Sequence, residues 1–145
     1  MNNNSKFIVD IINKDTQEEK VVIKFNNALT NTSRVHKSTA FFEKYPKTVS
    51  KNFRIATKIT NFLNYIQDKV NNGEIKSIEF MTIEDGTRYF ESIKDTLSHA
   101  ELEAQKRLLT TFYYFSFKNN SLRKVSKSDF SFDKKAGKNV IRIPF

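Results

Sequence analysis

The sequence has no cysteine, which excludes disulfide bonds and thiolate metal sites and is usual for proteins of a reducing cytoplasm. Only three glycines and two prolines occur in 145 residues, which favours long regular elements over a turn-rich β-sandwich. The start, Met1–Ser5, lacks the basic and apolar regions of a signal peptide. No apolar run approaches the ~20 residues of a membrane-spanning helix. We therefore expect a cytoplasmic protein that does not contact the membrane.

Residue types that carry chemistry are also scarce. The two histidines, His36 and His99, are too few and too far apart for a metal site or a proton relay. The three glycines form no phosphate-binding loop. The pair Glu84 and Asp85 is interpreted as charge at a helix N-terminus. We expect no cofactor, no metal and no catalytic residue within this sequence.

Aromatic residues and positive charge are abundant instead. Fourteen Phe and five Tyr can build a substantial core, and the length suits one domain or one domain with a small appendage. The formal net charge is +9 and the isoelectric point about 9.7. A charge of this size indicates a polyanionic partner, namely DNA, RNA or an anionic membrane surface. On charge alone an RNA-binding role stays open.

The N-terminal third predicts a β-hairpin. Residues 6–13 and 20–26 are rich in β-branched side chains and are separated by the polar stretch 14–19. Residues 26–40 are polar and are interpreted as irregular. Pro46 is expected to end a short segment and to permit the next helix to begin.

Three helices follow, which makes the predicted fold mainly α, a small helical bundle with an N-terminal β-hairpin. The first, 48–71, has one apolar stripe. The second is expected to start near Thr82, where Thr82 and Asp85 have the spacing of a capping box, and the third at Ser98. The stripe of the first helix consists of Ile55, Ile59, Phe62, Leu63, Ile66 and Val70.

Positive charge is concentrated in two regions. Residues 47–71 have five Lys or Arg and one Asp, a net of +4, and residues 118–145 have eight against two, a net of +6. Residues 74–97 have three against six, a net of −3. The positive field is therefore expected on the first long helix and on the C-terminal tail.

A row of three cations and one Asn on the first helix is the clearest binding signal. These four residues recur at steps of three, four and three, so they share one side of the helix. Such a helix can lie along a duplex, with cations on phosphates and Asn on base edges, although an ordinary solvated face has the same pattern. The candidate DNA-binding residues are Lys51, Arg54, Lys58 and Asn61 here; Lys106, Arg107, Thr110, Tyr114 and Lys118 on the third helix; and Arg123, Lys124 and Lys127 in the tail.

The order of helices and apolar phrases over residues 48–129 resembles the core-binding, SAM-like domain of tyrosine recombinases and phage integrases. The matching phrases are Phe62-Leu63-Asn64-Tyr65, residues 83–90, Leu97-Ser98, residues 109–115 and residues 119–122. Two departures are Glu101, where the family commonly has Thr, and the lack of Asn-Pro after the third helix. The resemblance covers a little over half of the chain.

The resemblance implies a role in DNA integration and recombination. Residues 47–130 would be the core-binding domain, 1–46 an N-terminal hairpin and connecting segment, and 131–145 a linker or the start of a missing catalytic domain. The family's catalytic Arg, His-x-x-Arg and Tyr have no counterpart here, so the chain would be a non-catalytic fragment. Its partner would be double-stranded DNA in the nucleoid, with self-association on DNA through the missing catalytic domain.

Two other functions stay open. A helical protein-interaction domain of a phage or mobile genetic element would present an exposed aromatic patch of Phe41, Phe42 and Tyr45. A helix-turn-helix regulator would be a dimer with a turn of three or four residues, shorter than the connection at 72–81.

Overall fold

The computed structural model describes residues 4–13 and 18–119, and the chain divides into two compact units, Met1–Phe80 and Met81–Phe145. The strands are β1 (Lys6–Asn13), β2 (Glu19–Asn27) and β3 (Thr32–Val35), and the α-helices are α1 (Ala40–Lys44), α2 (Val49–Asn71), α3 (Ile83–Ile93) and α4 (His99–Tyr113). Short 3-10 helices occupy Lys37–Thr39, Ile78–Phe80 and Lys94–Thr96, and a π-helix at Tyr114–Asn119 follows α4. The described residues are thus mainly helical with a small antiparallel sheet, as expected.

The predicted hairpin is confirmed. β1 and β2 pair antiparallel from Lys6 opposite Asn26 to Asn13 opposite Glu19. Both strands are rich in β-branched residues, which favour extended backbone, and β2 buries Val21, Val22 and Ile23 in succession.

The interpretation of residues 26–40 as irregular is wrong for β3, which pairs antiparallel with β2 in the order β1-β2-β3. The chain reverses at Asn31, whose φ of 54° lies in the left-handed region that Asn tolerates. The Oδ1 of Asn27 accepts the N–H of Leu29 at 3.0 Å and supports the same turn. This turn joins β2 to β3, the strand that the polar composition concealed.

The prediction of a long helix over 48–71 is confirmed by α2. The hydroxyl of Thr48 caps it by accepting the N–H of Lys51 at 3.3 Å. Gly73, with a φ of 81°, takes the left-handed conformation that ends the helix. The buried face of α2 packs on β1 and β2. It includes Ala56, Ile59, Phe62, Leu63 and Ile66.

A side-chain amide joins α2 to the outer edge of β1. Asn64 Oδ1 accepts the N–H of Phe7 at 2.7 Å, and Asn64 Nδ2 donates to the Phe7 carbonyl at 2.9 Å. We call this pair of bonds the Asn64 bridge. Asn71 Nδ2 similarly donates to the Ser5 carbonyl at 3.1 Å. The hairpin and α2 therefore lie in one compact unit.

The second unit is organised by capped helices. The predicted capping box at Thr82 is confirmed, with Asp85 Oδ2 accepting the Thr82 N–H at 2.8 Å and Thr82 Oγ1 accepting the Asp85 N–H at 3.3 Å. Ser98 caps α4 by accepting the N–H of Glu101 at 3.1 Å. The buried residues of α4 include Leu109, Phe112 and Tyr113.

The prediction of an exposed aromatic patch at 41–45 is wrong. Phe41 and Phe42 are both 5% exposed and belong to the core, and only Tyr45 is exposed, at 39%. The Tyr45 ring packs edge-on against Phe41, with 5.3 Å between centroids. α1 ends just before Pro46, as predicted, and this short helix turns both Phe side chains inward. The patch on which the protein-interaction hypothesis depended is therefore not on the surface.

Candidate nucleic-acid interface

The structure places four of the predicted DNA-binding residues on the outward side of α2, and we call them the basic row: Lys51, Arg54, Lys58 and Asn61. Lys51, Arg54 and Asn61 are exposed and Lys58 is half-buried. At 1.5 Å rise per residue the row extends about 15 Å along the helix axis. Because the opposite side of α2 packs on the sheet, the row is presented by a rigid element.

The first part of the row is not neutralised by acidic side chains. Lys51 and Arg54 form no ion pair within residues 4–13 and 18–119, and Asp68 is the one acidic residue in 47–71. Lys47, which was not among the predicted residues, is exposed immediately before the Thr48 cap. Its spacing of four residues from Lys51 could have identified it. These three cations form the positive end of α2.

The candidate residues of α4 have mixed positions. The side chain of Lys106 is 17% exposed, and its Nζ lies 3.5 Å from a Glu103 carboxylate oxygen. Arg107 is exposed. Thr110 is 1% exposed and its hydroxyl donates to the Lys106 carbonyl at 2.6 Å, so it lies in the core and cannot reach a phosphate. The inward turn of Thr110 removes it from the proposed interface.

Two further candidates lie in the π-helix after α4. Tyr114 is half-buried, and its ring centroid is 5.3 Å from that of Tyr113. Lys118 is exposed, with its Nζ 5.2 Å from the centroid of the Tyr113 ring. This cation–π contact directs the Lys118 ammonium towards Tyr113 of the same unit. Arg123, Lys124, Lys127 and the segment predicted at 131–145 lie outside the described residues.

His36 is partly buried and is held in place by a hydrogen bond and a ring contact. Its Nδ1 accepts the N–H of Ser38 at 3.1 Å, and its ring packs edge-on against Phe7 with 4.9 Å between centroids. Burial lowers the pKa of His36 to about 4, so the ring is neutral at pH 7. His99 is exposed in the first turn of α4. Within the part of the chain that the structure describes, no cluster of three or more His, Asp or Glu side chains could hold a metal ion.

Searches of family models, of curated proteins and of solved structures found no match to this chain. Among the described helices, none combines the length and the apolar character needed to cross a bilayer. The recombinase resemblance and the DNA partner therefore stay predictions.

Proposed function

We propose that this chain binds double-stranded DNA by placing the outward side of α2 along the phosphate backbone. The observation that carries the proposal is the group of exposed cations Lys47, Lys51 and Arg54, which have no acidic partner among the described residues. Cations left without internal partners are available to phosphates, and a net charge of +9 favours the encounter. The mechanism is phosphate neutralisation with release of condensed counterions.

Asn61 would supply the contact to a base. Its side chain is exposed at the far end of the basic row. A side-chain amide can donate to N7 and accept from N6–H of adenine with both of its polar groups, whereas Lys and Arg on phosphates carry no sequence information. Sequence preference would therefore depend on Asn61 and affinity on the cations.

The packing of α2 supports this role because it fixes the helix from behind. The Asn64 bridge and the buried face of α2 hold the helix against the sheet. Groups that are already positioned lose little conformational entropy when they bind. The basic row therefore meets the duplex as a preorganised surface.

The biological setting we propose is that of the core-binding, SAM-like region of a tyrosine recombinase. Support comes from the order of the helices: residues 62–65 lie in α2, residues 83–90 lie in α3, and Ser98 of the Leu97-Ser98 phrase caps α4. In that role Arg107 and Lys118 would add phosphate contacts. DNA binding by α2 does not depend on this assignment.

The test is fluorescence anisotropy with a mixed-sequence duplex of about 30 base pairs, titrated at about 50 and 200 mM salt. The Lys51→Ala/Arg54→Ala variant should bind more weakly, and its salt slope should fall by up to about 2, because each phosphate contact contributes about 0.9. The matched control is Lys6→Ala/Arg34→Ala, which also removes one Lys and one Arg, both exposed, from strands of the same unit. The control should retain most of the slope.

Three outcomes would reject the proposal. The unmodified chain could fail to bind at the lower salt concentration. The two double variants could lose the same affinity, which would show that net charge and not the α2 surface is responsible. An A-form RNA duplex could compete better than DNA, which would make RNA the partner. The difference between a Lys51→Ala/Arg54→Ala/Lys58→Ala variant and the double variant measures the contribution of Lys58, the third cation of the row.

A further inference from the structure

The sheet has an open edge beside the first residues of β2, because the antiparallel strand β3 is too short to reach them. The last pair between these strands is Lys24 opposite Val35, whereas β2 begins five residues earlier, at Glu19. After Val35 the chain turns away, and Ile23 is the last β2 residue that it covers. The N–H of His36 donates to the Ile23 carbonyl at 2.7 Å, and Thr39 Oγ1 accepts the Ile23 N–H at 2.9 Å.

The backbone of Val21 faces this open edge. Both backbone groups of Phe7 bond Asn64, so Phe7 and Phe25 form a pair that is not hydrogen-bonded across the strands. Antiparallel pairs alternate along a ladder, and therefore Ile11 and Val21, four positions further, are also a pair of this kind. The N–H and C=O of Val21 consequently point away from β1, and no described strand residue lies opposite them.

A groove of about 710 Å³ lies along this edge. Its apolar lining includes Val22, Phe42 and Pro46, and Asn52 of α2 also lines it. Asn52 Nδ2 donates to the Lys47 carbonyl at 3.3 Å, whereas its Oδ1 is buried without a hydrogen-bond partner among the described residues. A buried amide oxygen without a donor is unfavourable, and a ligand with an N–H would satisfy it.

We propose that this groove binds an extended peptide segment of a partner protein, which adds to β2 as an antiparallel strand where β3 would otherwise continue. The strand would exchange two backbone hydrogen bonds with Val21 and place an apolar side chain near Phe42 and Pro46. Strand addition obtains affinity from main-chain bonds and specificity from alternate side chains. The proposal is independent of DNA binding by α2.

The charges along the edge define the partner sequence. Glu19 and Lys20 line the groove next to Val21, and neither forms an ion pair within the described residues. Lys37, also on the rim, already pairs with Glu79. Opposite charges directly across two strands stabilise their pairing. The complementary strand therefore reads, from its N-terminus, apolar opposite Val21, acidic opposite Lys20 and basic opposite Glu19.

The probe is the labelled peptide acetyl-Thr-Val-Asp-Lys-Thr-amide, titrated against the full chain by fluorescence anisotropy and by ¹⁵N-HSQC. Methylation of the backbone nitrogen of its Val should weaken binding about tenfold, because that N–H donates to Val21. Methylation of the Asp nitrogen should change binding by less than about twofold, because that N–H points away from β2. Shifts should concentrate at Glu19, Val21 and Asn52.

Variants of the chain complete the test. Asn52→Ala should weaken peptide binding several-fold, whereas Asn61→Ala, on the exposed side of the same helix, should leave it unchanged. Independently of any peptide, amide hydrogen exchange should be fast at Val21 and slow at Val22, whose backbone bonds face β1.

Each of four results would overturn the proposal. They are equal exchange protection at Val21 and Val22, equal binding of the two methylated peptides, and no binding of the unmethylated peptide at about 1 mM. The fourth is a dimer of the chain that Asn52→Ala dissociates, which would assign the edge to a second copy.

Discussion

The two units of the chain are held together by interactions of different range in sequence. In Met1–Phe80, side-chain hydrogen bonds join residues 57 and 66 positions apart, Asn64 to Phe7 and Asn71 to Ser5. In Met81–Phe145, Thr82 and Asp85 bond across three positions, as do Ser98 and Glu101. The first unit therefore depends on contacts that form only when distant segments meet, whereas the helix ends of the second are stabilised locally.

The largest expected effect is on the core of the first unit. Phe62→Ala removes a ring that is 0% exposed on the buried face of α2 and should lower the free energy of unfolding by about 3–5 kcal/mol. Phe53→Ala, on the same helix but 41% exposed, is the matched control and should cost about 1 kcal/mol or less. Urea denaturation followed by circular dichroism measures both. Similar losses in the two variants would contradict the packing of α2 on β1 and β2.

The next effect concerns the Asn64 bridge. Asn64→Ala removes two hydrogen bonds to Phe7 and should cost about 2 kcal/mol, at roughly 1 kcal/mol for each bond. Asn64→Asp keeps the acceptor for the Phe7 N–H, so its free energy of unfolding should lie between those of Asn64→Ala and the unmodified chain. The control is Asn61→Ala, which removes an exposed amide three residues away. If Asn61→Ala destabilises the chain as much as Asn64→Ala, the long-range bridge is not a source of stability.

The second unit should be less sensitive to a single polar change. Thr82→Ala removes the N-cap of α3 and should cost about 1 kcal/mol, whereas Thr82→Ser keeps the hydroxyl and should cost less. Thr96→Ala, which removes an exposed hydroxyl that donates to Ile93, is the control. Thermal denaturation gives the order of the three variants. A loss larger than that of Asn64→Ala would reverse the comparison between the units.

The smallest effect at neutral pH comes from His36 in the first unit. Because burial lowers its folded-state pKa from 6.5 to about 4, the folded state binds fewer protons than the unfolded state in that interval. This contribution to stability is fully present above pH 6.5 and is lost as the pH falls towards 4. His36→Asn, which can still accept the Ser38 N–H, should flatten the dependence between pH 6.5 and 4. An unchanged pH profile would contradict a buried neutral ring.

Local signals allowed the sequence to predict most of the described elements. The β-branched content of β1 and β2, the apolar stripe of α2 and the caps at Thr82 and Ser98 are short-range patterns, and the structure confirms the elements that they predict. β3 was missed because its four residues are all exposed and carry no alternation of burial. Its one signal was the turn at Asn31, which polar composition alone does not distinguish from a loop.

The candidate site was predictable only as far as helical periodicity extends. Spacing placed Lys51, Arg54 and Asn61 on one side of α2, and all three are exposed. The same reasoning placed Thr110 on a polar flank. Its hydroxyl donates to the Lys106 carbonyl one turn earlier, so burial of this side chain costs little free energy. The sequence therefore does not reveal that Thr110 is buried. Burial of Phe41 and Phe42 depends on tertiary packing and was equally hidden.

The Asn64 bridge also sets an order of events during synthesis. Phe7 leaves the ribosome 57 residues before the amide that covers its backbone. At about 5–20 residues per second, the edge of β1 is without its cap for roughly 3–11 s. A nascent hairpin with an uncovered edge is vulnerable to pairing with other chains during that interval. The speed of translation through residues 8–64 is therefore expected to influence how much of this protein reaches its native state.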